Sequence, residues 1–423
     1  MRPSRSRPKH HFSFERRIAD ASARFPSGID MTPFVKFSAA GFAATAITYG
    51  PARMEFGLFL PEFRSAFSMS SGQAGLVSAL GFLGLLAAYA MIARRGPRLP
   101  VVIGLCAATL GTALVALAPS LALLSAGVFL AMSSAGFAWA PFNNAVHRVV
   151  ADERRPSALS IVSTGTSLGI AAAGAIALVL GLGGMSWRVG WAAFAVASAL
   201  ALLANWMALR DVAGSGGPAS DEPWRVLLRA RAIPLYGIAL SFGVTTAVYI
   251  SFAADRVQQA GGLPGLPEGL SPAVMFLSFG TLGLAGLATG RAKAAAGLPS
   301  LIRLLLIAST LSLLLVALAP RSWPGFVLSA GLQGVYVMMT SAVLAFWSER
   351  LFPELPSLSF TITLLAVAAG SVLGPLGAGI VSGAAGGGPM FLGAAALSAV
   401  TAAAVRPRYV SERPPDARAS AGT

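Results

Sequence analysis

Long apolar runs and brief polar breaks alternate along almost the whole chain. About twelve runs approach the ~20 residues that a helix needs to cross the hydrocarbon core of a bilayer. They lie near 35–60, 73–93, 99–118, 121–142, 158–182, 187–208, 232–254, 271–290, 298–319, 325–346, 358–382 and 388–405. Gly96-Pro97, Pro119, Pro156 and Pro320 punctuate the breaks, where a helix is expected to stop. The longest internal polar stretch runs from Arg210 to Arg231 and contains Gly214-Ser-Gly-Gly-Pro218. This pattern predicts an all-α integral membrane protein. A basic tail (1–34) is followed by a six-helix bundle (35–208), a linker (209–231), a second six-helix bundle (232–405) and a final tail (406–423).

The two halves share words in the same order. LVALAP occurs at 114–119 and again at 315–320, and LSAG at 124–127 and 328–331. Gly81-Phe-Leu-Gly-Leu85 answers Gly280-Thr-Leu-Gly-Leu284, and Pro156-Ser157 answers Pro356-Ser357. Thr45, Tyr49 and Glu55 of the first span answer Thr245, Tyr249 and Asp255 of the seventh. An even number of spans per half makes this a parallel repeat about an axis along the membrane normal.

Composition narrows the class. The chain is 55% hydrophobic and 11% charged, against about 25% charged in soluble domains. Its net charge of +15 does not point to nucleic acid, because the basic residues are dispersed among the spans. Of 31 Lys and Arg, about 25 fall on one side, which the positive-inside rule makes cytoplasmic, with both termini there. The Ala/Arg-rich composition suits a bacterial inner membrane. The single Cys106 and the histidines His10, His11 and His147 supply neither a disulfide nor a metal site. No cofactor motif and no G-x-x-x-x-G-K-[ST] phosphate loop is present, so ATP does not drive the protein directly. The first 30 residues lack the short apolar core of a signal peptide, and Met31 is a second candidate start.

Six plus six spans around a long joint resemble the major facilitator superfamily, over about residues 35–405. The resemblance implies two halves that rock about a central site near the bilayer midplane, a small-molecule substrate and a monomeric protein. The family's loop motif after the second span, G-x-x-x-D-R-x-G-R-R, has its counterpart in Ala93-Arg94-Arg95-Gly96-Pro97-Arg98. Arg94, Gly96 and Arg98 fit, but Ala93 replaces the acid. After the eighth span, Gly286-Leu-Ala-Thr-Gly290-Arg291 also lacks it. The gate that this acid helps to hold in the family is therefore built differently here. Glycine-rich runs occur at Gly165-Thr-Ser-Leu-Gly169 and at Gly370-Ser-Val-Leu-Gly374-Pro375. They allow close approach of neighbouring helices.

Charges inside apolar spans are costly and mark functional positions. Arg53 lies 17 residues past Lys36, hence about 25 Å along the first helix. Tyr49 shares its face, while Glu55 points nearly the opposite way unless the Gly50-Pro51 pair kinks the helix. The same arithmetic puts Asp255 and Arg256, at the end of the seventh span, at or just beyond the outer edge of the bilayer. Arg53 and Tyr49, with Tyr249 in the second half, are candidates to hold a polar or anionic substrate in an outward-opening cavity. Glu55 and Asp255 are candidates to carry a coupling proton. Trp139, Asn143, Asn144 and Gln333 are further candidate contacts. Asn205 and Trp206 are expected at an interface, and Glu349 and Arg350 in a polar turn. The leading expectation is a secondary transporter of a small polar or anionic organic solute. Efflux of amphipathic compounds is the alternative. An integral-membrane enzyme or a non-transporting sensor stands well behind, since no acids cluster in the bilayer.

Overall fold

The computed structural model describes residues 33–92, 98–139, 141–142, 150, 154–210, 227 and 230–410. Ten of the helices among them are long and apolar enough to cross a membrane. The two other crossings are the broken first span and the shorter helix Leu121–Gly136, the fourth span. The second, third, fifth and sixth spans are Ser71–Ile92, Arg98–Leu117, Arg155–Leu182 and Trp187–Ala208. The seventh is Ile233–Gln259. The ninth to twelfth are Leu298–Leu318, Trp323–Leu351, Pro356–Ala385 and Gly387–Ala404. The face where the first span begins and the twelfth ends is called the terminal face below, and the opposite one the distal face.

The first span is three helices on one path, Pro33–Tyr49, Pro51–Leu58 and Leu60–Phe67. Each break precedes a proline, Pro51 or Pro61, that lacks the N–H needed to continue the ladder. The chain bends at little cost, because Met54 still bonds the Gly50 carbonyl and Phe63 the Phe59 carbonyl, at 2.9 and 3.0 Å. The span thus runs on to Phe67, past the boundary expected near residue 60. The seventh span likewise runs to Gln259, past the boundary expected near residue 254, and includes Asp255 and Arg256. The eighth span is interrupted differently. Ser271–Gly283 passes through a 3₁₀ stretch, Leu284–Ala288, into Thr289–Ala296. Gly286 and Arg291, expected in a loop, are instead in this 3₁₀ stretch and the helix that follows. Glu349 and Arg350 are in the last turn of the tenth span, with the Arg350 guanidinium over the Phe346 ring. Asn205 is fully buried and donates to the carbonyls of Ala40 and Ala201, so it ties two helices together. Trp206 is half exposed beneath Arg98.

The internal repeat reappears in the packing. The first span packs on the fifth and sixth as the seventh packs on the eleventh and twelfth. The fourth packs on the second and third as the tenth packs on the eighth and ninth. Between the halves, the second–eleventh pair is answered by the eighth–fifth pair, and the first–seventh pair by itself. Every such pairing survives the exchange of span n with span n + 6, the signature of a pseudo-twofold axis between two six-helix bundles.

Glycines set the closest crossings. A Cβ on Gly165 or Gly169 would meet the first span at the carbonyls of Phe42 and Ala46, 2.5 and 2.2 Å away. In the second half, a Cβ on Gly370 or Gly374 would meet the carbonyls of Leu240 and Val244, at 2.1 and 2.7 Å. The two glycine-rich runs therefore occupy equivalent crossings. The Pro375 carbonyl faces Gly75 of the second span. Gly370→Val should accordingly lower the thermal stability of the purified protein by an amount in the overpacking range of about 1–3 kcal/mol or more. Gly237→Ala, where a Cβ meets nothing within 4 Å, should leave it equal or up to about 1 kcal/mol more stable through helix propensity. Differential scanning fluorimetry in detergent checks both.

Candidate functional site

A cavity opens between the halves at the level of the second segment of the first span. Its volume is about 110 Å³. From the first half it is lined by Tyr49, Arg53, Trp139, Ser163, Thr164 and Ser167, with Met54 and Thr166 completing that wall. From the second half come Leu284, Leu287, Val337, Met338 and Ala342, with Ser341, Gly283 and Gly286. The 3₁₀ stretch of the eighth span thus forms part of the wall.

Local sequence explains how Arg53 is presented. The Gly50-Pro51 break restarts the helix, and all eight residues from Pro51 to Leu58 are buried. The Arg53 guanidinium lies 5.4 Å from the centre of the Tyr49 ring and 5.7 Å from that of Phe82. Its Nε has no hydrogen-bond partner. Tyr49 is held in turn by a 2.9 Å hydrogen bond between its hydroxyl and that of Tyr89. It also makes an edge contact with Trp139, centroids 6.4 Å apart. Trp139 reaches across to Phe360 of the eleventh span at 5.2 Å, joining the halves on the terminal side. Ring contacts contribute up to about 2 kcal/mol each to a desolvated cation. Removing a guanidinium from water costs several kcal/mol. The rings alone therefore leave Arg53 short of a counter-charge.

Glu55 does not supply that charge. It is fully buried, neither carboxyl oxygen has a hydrogen-bond partner, and it forms no ion pair with Arg53. Ala52 packs with Ala108 and Ala131 of the third and fourth spans. Glu55, three residues on, lies on that same side of the helix, away from the cavity. The kink does not turn the two charges toward each other.

The other candidates are dispersed. Tyr249 does not line the cavity, because its hydroxyl bonds Ser329 at 3.2 Å inside the second half. Arg256 reaches toward the Ala317 carbonyl, so the second half offers no Tyr-Arg face to match the first. Gln333 is also buried within the second half, and neither of its amide atoms has a partner. Asp255 is held in an ion pair with Arg64 at 3.0 Å and accepts from Gln259 at 2.8 Å. Gly286 lines the cavity and touches Met338, while Arg98 lies near the Arg210 carbonyl and Arg291 is exposed. Asn143, Asn144, Arg94 and Gly96 lie outside the described residues. Sequence reasoning missed the hydroxyls Ser163 and Ser341 and the apolar wall around Met338. Residues of these types have many partners in a bilayer, and nothing in their spacing singles them out.

On the distal side of the cavity the halves are locked. Arg64, in the last segment of the first span, pairs with Asp255 of the seventh and also donates to Met69 O and Ser71 Oγ. Ser78 and Ser251 share a 2.6 Å hydrogen bond. A Cβ on Gly57 would lie 1.7 Å from the Ile250 carbonyl. The cavity is thus closed distally, contrary to the expected distal opening.

Two pseudo-equivalent six-helix halves around one central cavity, sealed on one side, define a carrier-type membrane fold. The sequence profile of the Major Facilitator Superfamily matches residues 37–301, and the chain belongs to that family. No curated protein sequence matches the chain. Among solved structures, a mutant of the nucleoside transporter NupG superposes with a TM-score of 0.70 at 12% identity, covering 88% of this chain and 99% of that one. A POT family transporter in complex with a thioalcohol-conjugated peptide gives 0.66 at 14%, covering 88% and 93%. A bacterial homologue of the human lysosomal transporter Spinster, in an inward-facing and occupied conformation, gives 0.65 at 16%, covering 88% and 96%. At identities this low, the superpositions establish the shared fold alone.

The distal lock yields a test. In a Cys106→Ser background, a cysteine replacing Ser78 should react slowly with a membrane-impermeant maleimide. Arg64→Asp or Asp255→Arg alone should accelerate labelling several-fold, since each leaves a half-buried charge facing its like. The combined swap should return it toward the starting rate.

Proposed function

We propose that this protein is a secondary transporter of a small organic anion, working by alternating access between halves 35–208 and 232–405. The observation that carries this reading is Arg53, buried beside the cavity with aromatic rings but, among the described residues, no carboxylate paired with it. A substrate anion supplies the missing charge. The neighbours named for nucleoside and peptide transport support the general mode of action, though not this substrate. With the termini in the cytoplasm of a bacterial cell, as the distribution of Lys and Arg favours, the Arg64–Asp255 lock closes the outward side of the cavity. Asp255 is committed to the distal lock. Glu55 is then the better candidate for a coupling proton, because it is buried on the helix that bears Arg53 and has no partner.

Transport in proteoliposomes tests both roles. Arg53→Ala should reduce exchange of radiolabelled anion by at least tenfold, and Arg53→Lys should restore part of it. Glu55→Gln should retain exchange at equilibrium while losing accumulation driven by a pH gradient. Wild-type behaviour of Arg53→Ala and Glu55→Gln, in protein that folds and inserts, sinks the assignments.

A further inference from the structure

The walls of the cavity differ in chemistry according to the half that provides them. The first half contributes Arg53, Tyr49, Trp139, Met54 and the hydroxyl-bearing Ser163, Thr164, Thr166 and Ser167; the Tyr49 hydroxyl bonds Tyr89 and that of Thr164 donates to the Ser160 carbonyl. The second half contributes Leu284, Leu287, Val337, Met338 and Ala342, and a single hydroxyl, Ser341. Ser341 already donates to the Val337 carbonyl at 2.7 Å. Among the described residues, no Asp or Glu lines either wall. A pseudo-twofold fold thus encloses a site with one polar, cationic wall and one apolar wall.

We propose that the substrate is an amphipathic organic monoanion, a carboxylate head on an apolar body, bound with its head on the first half and its body against the second. This rests on the anion reading above and narrows it. A dianion brings two charges to one guanidinium, leaving the second unpaired in a dry site. A zwitterion or an amine brings an ammonium that meets no carboxylate. A sugar-like solute needs hydrogen bonds all round, and the wall at Met338 and Leu287 leaves half of them unmade. An aryl or branched alkyl body gains by leaving water against that wall. The division of contacts also gives the substrate a mechanical role. Head and body engage different halves, so the intact molecule favours the conformation in which both walls touch it. A bare head engages the first half alone and has no differential hold on the rocking motion.

The test uses the full-length purified protein, with thermal shift for binding and counterflow in proteoliposomes for transport. The probes are 4-phenylbutyrate, its neutral amide, the corresponding amine, acetate, and the dianion phenylsuccinate. Phenylbutyrate is expected to stabilise the protein at concentrations at least tenfold below each of the others, and to support counterflow where acetate does not. Arg53→Gln should weaken phenylbutyrate at least tenfold, to the level of the amide. Met338→Asn should weaken phenylbutyrate about tenfold and leave acetate unchanged, with the thermal midpoint without ligand serving as the folding control. If acetate or phenylsuccinate binds as tightly as phenylbutyrate through Arg53, the amphipathic proposal falls while anion transport stands. If the amine or the amide binds best and Arg53→Gln has no effect, both fall. Absence of a shift with every probe also overturns the proposal.

Discussion

The structure depends on how closely helix backbones can approach in a solvent as apolar as their own side chains. Lipid gives no hydrophobic drive for helix association, so packing must come from contact at short range. Glycines supply it at equivalent places in both halves. Gly165 and Gly169 seat the fifth span on the first, and Gly370 and Gly374 seat the eleventh on the seventh. The same device works between the halves on the distal side. There, Gly57 abuts Ile250, and Gly174 and Gly280 bring the fifth and eighth spans together. These glycines combine rigid bundles with a seam that closes tightly on one side, and a cavity remains where the seam ends.

The cavity inherits its chemistry from a departure from symmetry. The packing obeys the pseudo-twofold axis, but the polar residues do not. Tyr49 lies beside Arg53, whereas its counterpart Tyr249 bonds Ser329 and has Ala253 at the corresponding step. Glu55 is buried without a partner, whereas Asp255 holds Arg64. Backbone geometry is constrained by both halves together and resists drift. Side chains lining the cavity differ between the halves, with Arg53 and Ser163 on one side and Leu287 and Met338 on the other.

How much was legible in the sequence follows the same division. The spans, their number and the repeat could be read because bilayer thickness and helical rise fix the length of an apolar run. The shared face of Tyr49 and Arg53 followed from a four-residue spacing, which the break at Gly50 hardly disturbs. The pairing of Asp255 could not be read, because its helix extends to Gln259 and its partner Arg64 belongs to an extension of the first span beyond Pro61. Nothing local signals either. The apolar wall was invisible for a different reason. Leu287 and Met338 are the residue types that any lipid-facing or core position would carry, and only the tertiary fold tells a cavity wall from a packing surface. The side on which the cavity is closed also depends on contacts between distant spans, such as Ser78 with Ser251.

The first span connects these features. Its two proline breaks divide it into three rods with separate duties. Residues 33–49 are seated against the fifth span, 51–58 place Arg53 on the cavity and Glu55 on the core of the first half, and 60–67 bring Arg64 to Asp255. Arg53 and Arg64 are three helical turns apart on one chain, one at the cavity and the other at the distal lock. Bending at Phe59-Leu60-Pro61, which costs few backbone bonds, would therefore change the distance between Arg53 and the lock. Arg53 and Arg64 sit on adjacent rods joined by this break, so a shift at Arg53 would reach the Arg64–Asp255 pair only through it. A straight helix would transmit such a shift rigidly to every contact along its length. The breaks let the seam yield at one end while the seat on the fifth span is preserved.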